Sequence, residues 1–168
     1  MRIIGIDPGT GILGFGVIDC ENHHHPNIVD AGVIATPSHT RLKARLLDIY
    51  NSLDEIITGT KPDVMSIEKL FFARNITTAI SVAEARGVVI LVAAQHDLPV
   101  FEYTPLQIKQ TLTGYGRADK RQIQQMVKLH LKIPHVIKPD DAADALAAAI
   151  THRLMTRDGL TREKDLQL

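Results

Sequence analysis

A chain of 168 residues, 45% of them hydrophobic, is long enough for one globular core and cramped for two. No apolar run approaches the roughly eighteen residues needed to cross a bilayer, and the start lacks the basic, apolar and small-residue succession of a secretory leader, so a cytoplasmic protein is expected. Formal charge is zero, which argues against a uniformly basic nucleic-acid binder, and the single cysteine, Cys20, excludes an intramolecular disulfide.

In chain order, "RIIGID", "GFGVID" and "NIVDAGVIAT" are short β-branched runs punctuated by Gly, Asn or Pro, and their spacing predicts a three-stranded antiparallel meander. Leu42, Leu46, Ile49, Leu53 and Ile56 recur at steps of four and three, the stripe of an amphipathic helix capped by Ser38 or Thr40. "DVMSIE" is a fourth strand. A long helix rich in alanine and aliphatics is predicted from about Asn75 to Gln95, and "VFEYT" is a fifth strand. Thr104 and Pro105 open a short helix, Asp119 with Gln122 forms a capping box for another through Lys132, and a last helix begins near Asp140 and passes Ile150. Three strands, then strands alternating with helices, imply a five-stranded mixed sheet flanked by helices. Residues 1–156 are expected to form one domain, with 157–168 a polar tail.

Gly9, Gly11 and Gly14 match the G-x-G-x-x-G spacing of dinucleotide-binding proteins, with Asp30 downstream as a ribose-binding acid. That motif needs a helix starting at the glycines to face the pyrophosphate, and "ILGFGVID" has strand composition instead, so the glycines are expected to make a tight hairpin. His23, His24 and His25 are consecutive, so their side chains diverge, and a surface loop is expected rather than a metal site.

Charge is unevenly distributed. Between Tyr103 and Lys138 seven basic residues (Lys109, Arg117, Lys120, Arg121, Lys128, Lys132, Lys138) face one acid, Asp119, a local net of +6 that suits either a solvated surface or an anionic partner. Acids, by contrast, recur at element ends. Asp7 closes the first strand and Glu68 the fourth; "PDDAADALAAAI" then places Asp144 about 40° from Asp140 and about 60° from Asp141 around an ideal helix. Turn chemistry accounts for Asp7 in isolation, and capping for Asp140 and Asp141. Asp144 lies a turn deeper among alanines, and the whole set becomes favourable if divalent cations neutralise it, oxygen ligands suiting Mg²⁺ or Mn²⁺.

"GIDPGTGILGFGVID", "IEKLFFARN" followed by "ARGV", "PVFEYTPLQIKQTLTGYGRADK" and "DDAADALAAAITH" together resemble the RuvC family of Holliday-junction resolvases, over nearly the whole chain and in order. The resemblance implies a ribonuclease-H-like fold and a homodimeric endonuclease that nicks two strands of like polarity in a four-way DNA junction, during recombination and repair. By motif it assigns the catalytic, metal-holding acids to Asp7, Glu68, Asp141 and Asp144, with two Mg²⁺ (or Mn²⁺) ions per site in a phosphodiester hydrolysis. The "DAADAL" register selects Asp141 and leaves Asp140 as the helix cap. For DNA it assigns Lys109 and Lys120 to phosphates near the scissile bond, Phe71 to bases at the junction centre, Arg74 to backbone phosphate, and Phe72 to packing. It further implies a RuvA–RuvB branch-migration complex as partner. Two other readings stand beside it. "GIDPGTG" is also similar to the phosphate loop of actin-like kinases, which need a much longer chain, and a catalytically silent junction-binding protein of the same fold would keep the binding without the chemistry.

Overall fold

The computed structural model of the chain describes residues 1–21, 25–70 and 76–157. Phe71, Phe72, Arg74, His23, His24 and the tail beyond residue 157 lie outside the described residues. Five strands, β1 (Arg2–Asp7), β2 (Ile12–Asp19), β3 (Asn27–Ala35), β4 (Val64–Glu68) and β5 (Val100–Tyr103), form one sheet in the order β3-β2-β1-β4-β5. The meander β1-β2-β3 is antiparallel, as the short connections dictate, whereas β4 and β5 join β1's other side in parallel through helical crossovers. The sheet is therefore mixed, and β1 is its middle strand. The helices are α1 (Leu42–Thr60), α2 (Ile76–Gln95), α3 (Pro105–Thr113), α4 (Lys120–Leu131) and α5 (Asp140–Arg157).

Strand alternation divides the core in two. Ile4, Ile6, Leu13, Phe15, Val17, Met65 and Ile67 point to one face, where they meet Ile49, Leu53 and Ile57 of α1 and Ala85, Val89 and Val92 of α2. Ile3, Ile18, Val64, Phe101 and Tyr103 point to the other, under α3, α4 and α5. On this second face α5 crosses the sheet, and the strand residues beneath it are small for a measurable reason. A Cβ on Gly5 would fall 2.0 Å from the Ala145 carbonyl oxygen, one on Gly14 would fall 2.1 Å from that of Asp141, and one on Gly16 2.5 Å from Leu146 Cγ. The alanines of α5 answer those glycines: Ala142, Ala143, Ala145, Ala147, Ala148 and Ala149 are buried, and Ser66 Oγ donates to the Ala148 carbonyl at 2.8 Å. Further along α5, His152 is held neutral by burial, which lowers its pKa to about 4, and bonds Tyr103 Oη through Nδ1 at 2.8 Å.

Two local expectations change. Neither Ser38 nor Thr40 caps α1; Arg41 stands at the N-cap with no side-chain bond, because residues 38–40 form a turn closed by Thr40 N–H donating to the Pro37 carbonyl. Of the expected glycine hairpin, Gly9 and Gly11 do lie in the β1-β2 connection, but Gly14 lies inside β2, where it admits α5. The capping boxes of α3 and α4 are both present: Thr104 with Gln107, and Asp119 with Gln122.

Candidate active site

Asp7 ends β1 opposite Gly14 of β2, and Glu68 ends the adjacent β4 opposite Tyr103 of β5. In the parallel register Gly5 pairs with Ser66, so Asp7 and Glu68, two residues on, project from the same face at the same sheet edge. That is the α5 face. The close approach of Asp141 to Gly14 lays the first turn of α5 on the strand pair that carries Asp7, and one turn on is Asp144. From β5 the chain turns at Thr104 directly into α3, which brings Lys109 to the same edge, and Lys120 is the first residue of α4. Glu68, Asp144, Lys109 and Lys120 line one open cleft of about 270 Å³, floored by Pro105, Ile108, Ile123 and Ala147.

The electrostatics report the same convergence. Burial, then the charges of Glu68, Asp144 and Asp141, push the Asp7 carboxyl up to about 7, with Lys120 opposing. Glu68 is raised by burial and by Asp144, with Lys109 opposing, and Asp144 is raised by burial against the pull of Lys120. Lys120 Nζ stands 3.1 Å from Asp144 Oδ2 and 3.6 Å from Asp140 Oδ2. The structure thus brings Asp7, Glu68, Asp141, Asp144, Lys109 and Lys120 to one corner of the fold. The sequence-predicted Phe71 and Arg74 follow Glu68 but lie outside the described residues.

Four carboxylates with no thiolate or imidazole among them are the donor set of a hard divalent cation, and their mutual repulsion is what such a cation would relieve. Among the described residues no three His, Cys, Asp or Glu side chains stand close enough to grip an ion as they are.

Asp140 differs from its expected role. It is the first helical residue of α5 and not the cap before it, and its carboxylate is taken by Lys138 Nζ at 2.5 Å and by Lys120. Sequence reading also missed what braces the turn after Asp7. Thr36 N–H donates to the Gly11 carbonyl at 2.9 Å, Thr36 Oγ1 to the Thr10 carbonyl at 2.5 Å, and Arg45 Nε to Thr36 Oγ1 at 2.9 Å. Thr10 and Thr36 are 26 positions apart, and no local periodicity reveals a pairing at that distance.

Residues 3–152 match the family model described as crossover junction endodeoxyribonuclease RuvC. The RuvC of Caldicellulosiruptor saccharolyticus is 49% identical over 166 residues, covering 99% of this chain and all of that protein. That of Alkaliphilus oremlandii is 55% identical over 152 residues, 90% of this chain and 92% of that one. Among solved structures, Thermus thermophilus RuvC in complex with a Holliday junction substrate superposes with a TM-score of 0.92 at 32% identity, over 100% of this chain and 99% of that one. The ribonuclease-H-like order of elements, the acids at the ends of β1, β4 and the start of α5, and these likenesses agree: the chain belongs to the RuvC family of crossover junction endodeoxyribonucleases.

Proposed function

We propose that this chain cuts four-way DNA junctions with a site in which Asp7, Glu68, Asp141 and Asp144 hold divalent cations, Mg²⁺ or Mn²⁺ and two per site. The observation that carries the reading is the convergence of four partly buried, mutually repelling acids at one corner of the fold, where Glu68 and Asp144 line a cleft bordered by Lys109 and Lys120. When bound, such ions supply charge stabilisation at phosphorus and acidify the attacking water. The chain's own residues do the rest. Asp7, on the middle strand and nearest in charge to the other three acids, anchors the set. Lys109 and Lys120, on two different helices that border the cleft, are the residues that meet phosphates of a bound strand in this reading. Phe71 and Arg74, next along the chain from Glu68, belong to the same proposal as the residues that meet junction bases and backbone.

Residues 1–156 act as one nuclease domain in this reading, and two copies pair to nick symmetrically. The exposed Ile80 and Leu91 of α2, an apolar helix, support a second copy on that face. A RuvA–RuvB complex as the supplier of junctions rests on kinship alone. No helix among the described residues is long and apolar enough to cross a membrane, and a cytoplasmic site of action belongs to the proposal.

The test is incubation of a mobile synthetic four-way junction and a matched duplex with the protein, in Mg²⁺ and in chelator, across 50 to 200 mM salt, a window over which phosphate-based binding should weaken by roughly tenfold or more. Paired, ligatable nicks in two junction arms, only with Mg²⁺ and not in duplex, are expected. Junction binding without nicks would favour the silent binder, and equal cutting of duplex would remove the selectivity.

A further inference from the structure

Asp140 is close to the acids of the proposed cation site yet spends its charge on lysines. Its Oδ1 accepts from Lys138 Nζ at 2.5 Å, and its Oδ2 lies 3.6 Å from Lys120 Nζ. Lys120 meanwhile reaches past it to Asp144 Oδ2 at 3.1 Å. One ammonium is therefore shared between two carboxylates a helical turn apart, only one of which is assigned to the cation site. A divalent cation arriving at Asp144 must displace that ammonium, and the ammonium needs somewhere to go.

We propose that Asp140 is a positioning residue that draws Lys120 off Asp144, holding it at the mouth of the cleft for phosphate and leaving the ligand carboxylate open to the cation. This rests on the reading of Asp7, Glu68, Asp141 and Asp144 as the cation site. The placement of Asp140 suits that role. It is the more exposed of the two acids, at 37% against 26%, and its carboxylate is turned to Lys138 and Lys120 rather than to the other acids. Without its charge, Lys120 has a single anionic partner left and competes with the metal for it.

The experiment is calorimetric titration of Mn²⁺ into the DNA-free protein. Asp140→Asn should bind Mn²⁺ about threefold more weakly than wild type, the span of one exposed ion pair, and Asp140→Glu should restore most of it. In a Lys120→Met background the same Asp140→Asn change should have no effect. An unchanged affinity in Asp140→Asn overturns the proposal. So does an equal loss with and without Lys120, which would make Asp140 a direct field on the site or a staple between α4 and α5. Asp7→Asn is the separate control: if it binds Mn²⁺ like wild type, the cation-site reading itself falls and takes the proposal with it, whereas loss in Asp7→Asn beside no change in Asp140→Asn strikes the proposal alone.

Discussion

Replacing Asp7 by asparagine should cost roughly 10²-fold or more in junction cleavage and, in metal-free buffer, make the protein more stable. The two effects share one cause. Burial and three neighbouring acids lift the Asp7 carboxyl from 3.8 to about 7 in the folded chain, so the folded state resists the ionised form. A raised acid pKa contributes nothing against folding below pH 3.8, where the group is protonated in both states; the penalty grows as pH rises through the window and is complete above about 7. At ~1.4 kcal/mol per unit the shift corresponds to about 2–4 kcal/mol once coupling among the acids is allowed for. Asp7→Asn should therefore melt with wild type near pH 4 and roughly 5–10 °C above it at pH 8 in chelator. Lysine contacts stay in place, so junction affinity should persist. Melting curves that coincide at pH 8 would mean that the acids do not converge on one corner of the fold.

Gly5→Ala should be among the most damaging single-methyl additions in the chain. The new Cβ would meet the Ala145 carbonyl oxygen at 2.0 Å and the Ala149 nitrogen at 2.8 Å, both backbone atoms of α5, so no side chain can swing away. The helix must lift off β1. Overpacking of that kind costs about 3 kcal/mol, or roughly 6–12 °C in a chain of this size. Because α5 also carries Asp141 and Asp144, the lift should lower cleavage further than the stability loss alone explains. Gly59→Ala is the control. Nothing lies within 4 Å of a Cβ there, in the exposed last turn of α1, so the added methyl should stabilise by about 0.5–1 kcal/mol. Denaturant melts of the two variants, with cleavage measured well below either melting point, separate clash from mere loss of glycine.

That clash also shows where sequence reading stops. The short β-branched runs such as "RIIGID" and "DVMSIE", the stripe of α1 and the Asp119–Gln122 box are local patterns, and each set its element within a few residues of where it lies. Asp7 and Glu68 were legible because each ends an apolar run, where a charge is out of place, and Asp144 because it lies a turn deeper than capping explains; Asp141 was singled out by the resemblance alone. What joins them was not legible. Gly14 and Asp141 are more than a hundred residues apart, and nothing local marks Gly14 as the seat of a helix and not part of a turn. The alanines around Asp144 are the close-packed underside of α5, which their place in the sequence does not reveal. Asp140 read as a cap because aspartate so often is one; its lysine partners, Lys120 on another helix and Lys138 just before α5, decide otherwise.

Asp141 is the acid whose assignment most needs a direct trial, since it shares a helix start with Asp140, whose carboxylate is turned to Lys138 and Lys120 instead. Single-turnover cleavage of a synthetic four-way junction at saturating Mg²⁺, compared between Asp141→Asn and Asp140→Asn, tests whether β1, β4 and α5 build one cation site. Such a site predicts collapse of roughly 10²-fold in Asp141→Asn with junction binding intact, and a near wild-type rate in Asp140→Asn, whose defect saturating metal overcomes. Full activity in Asp141→Asn beside a dead Asp140→Asn would contradict it.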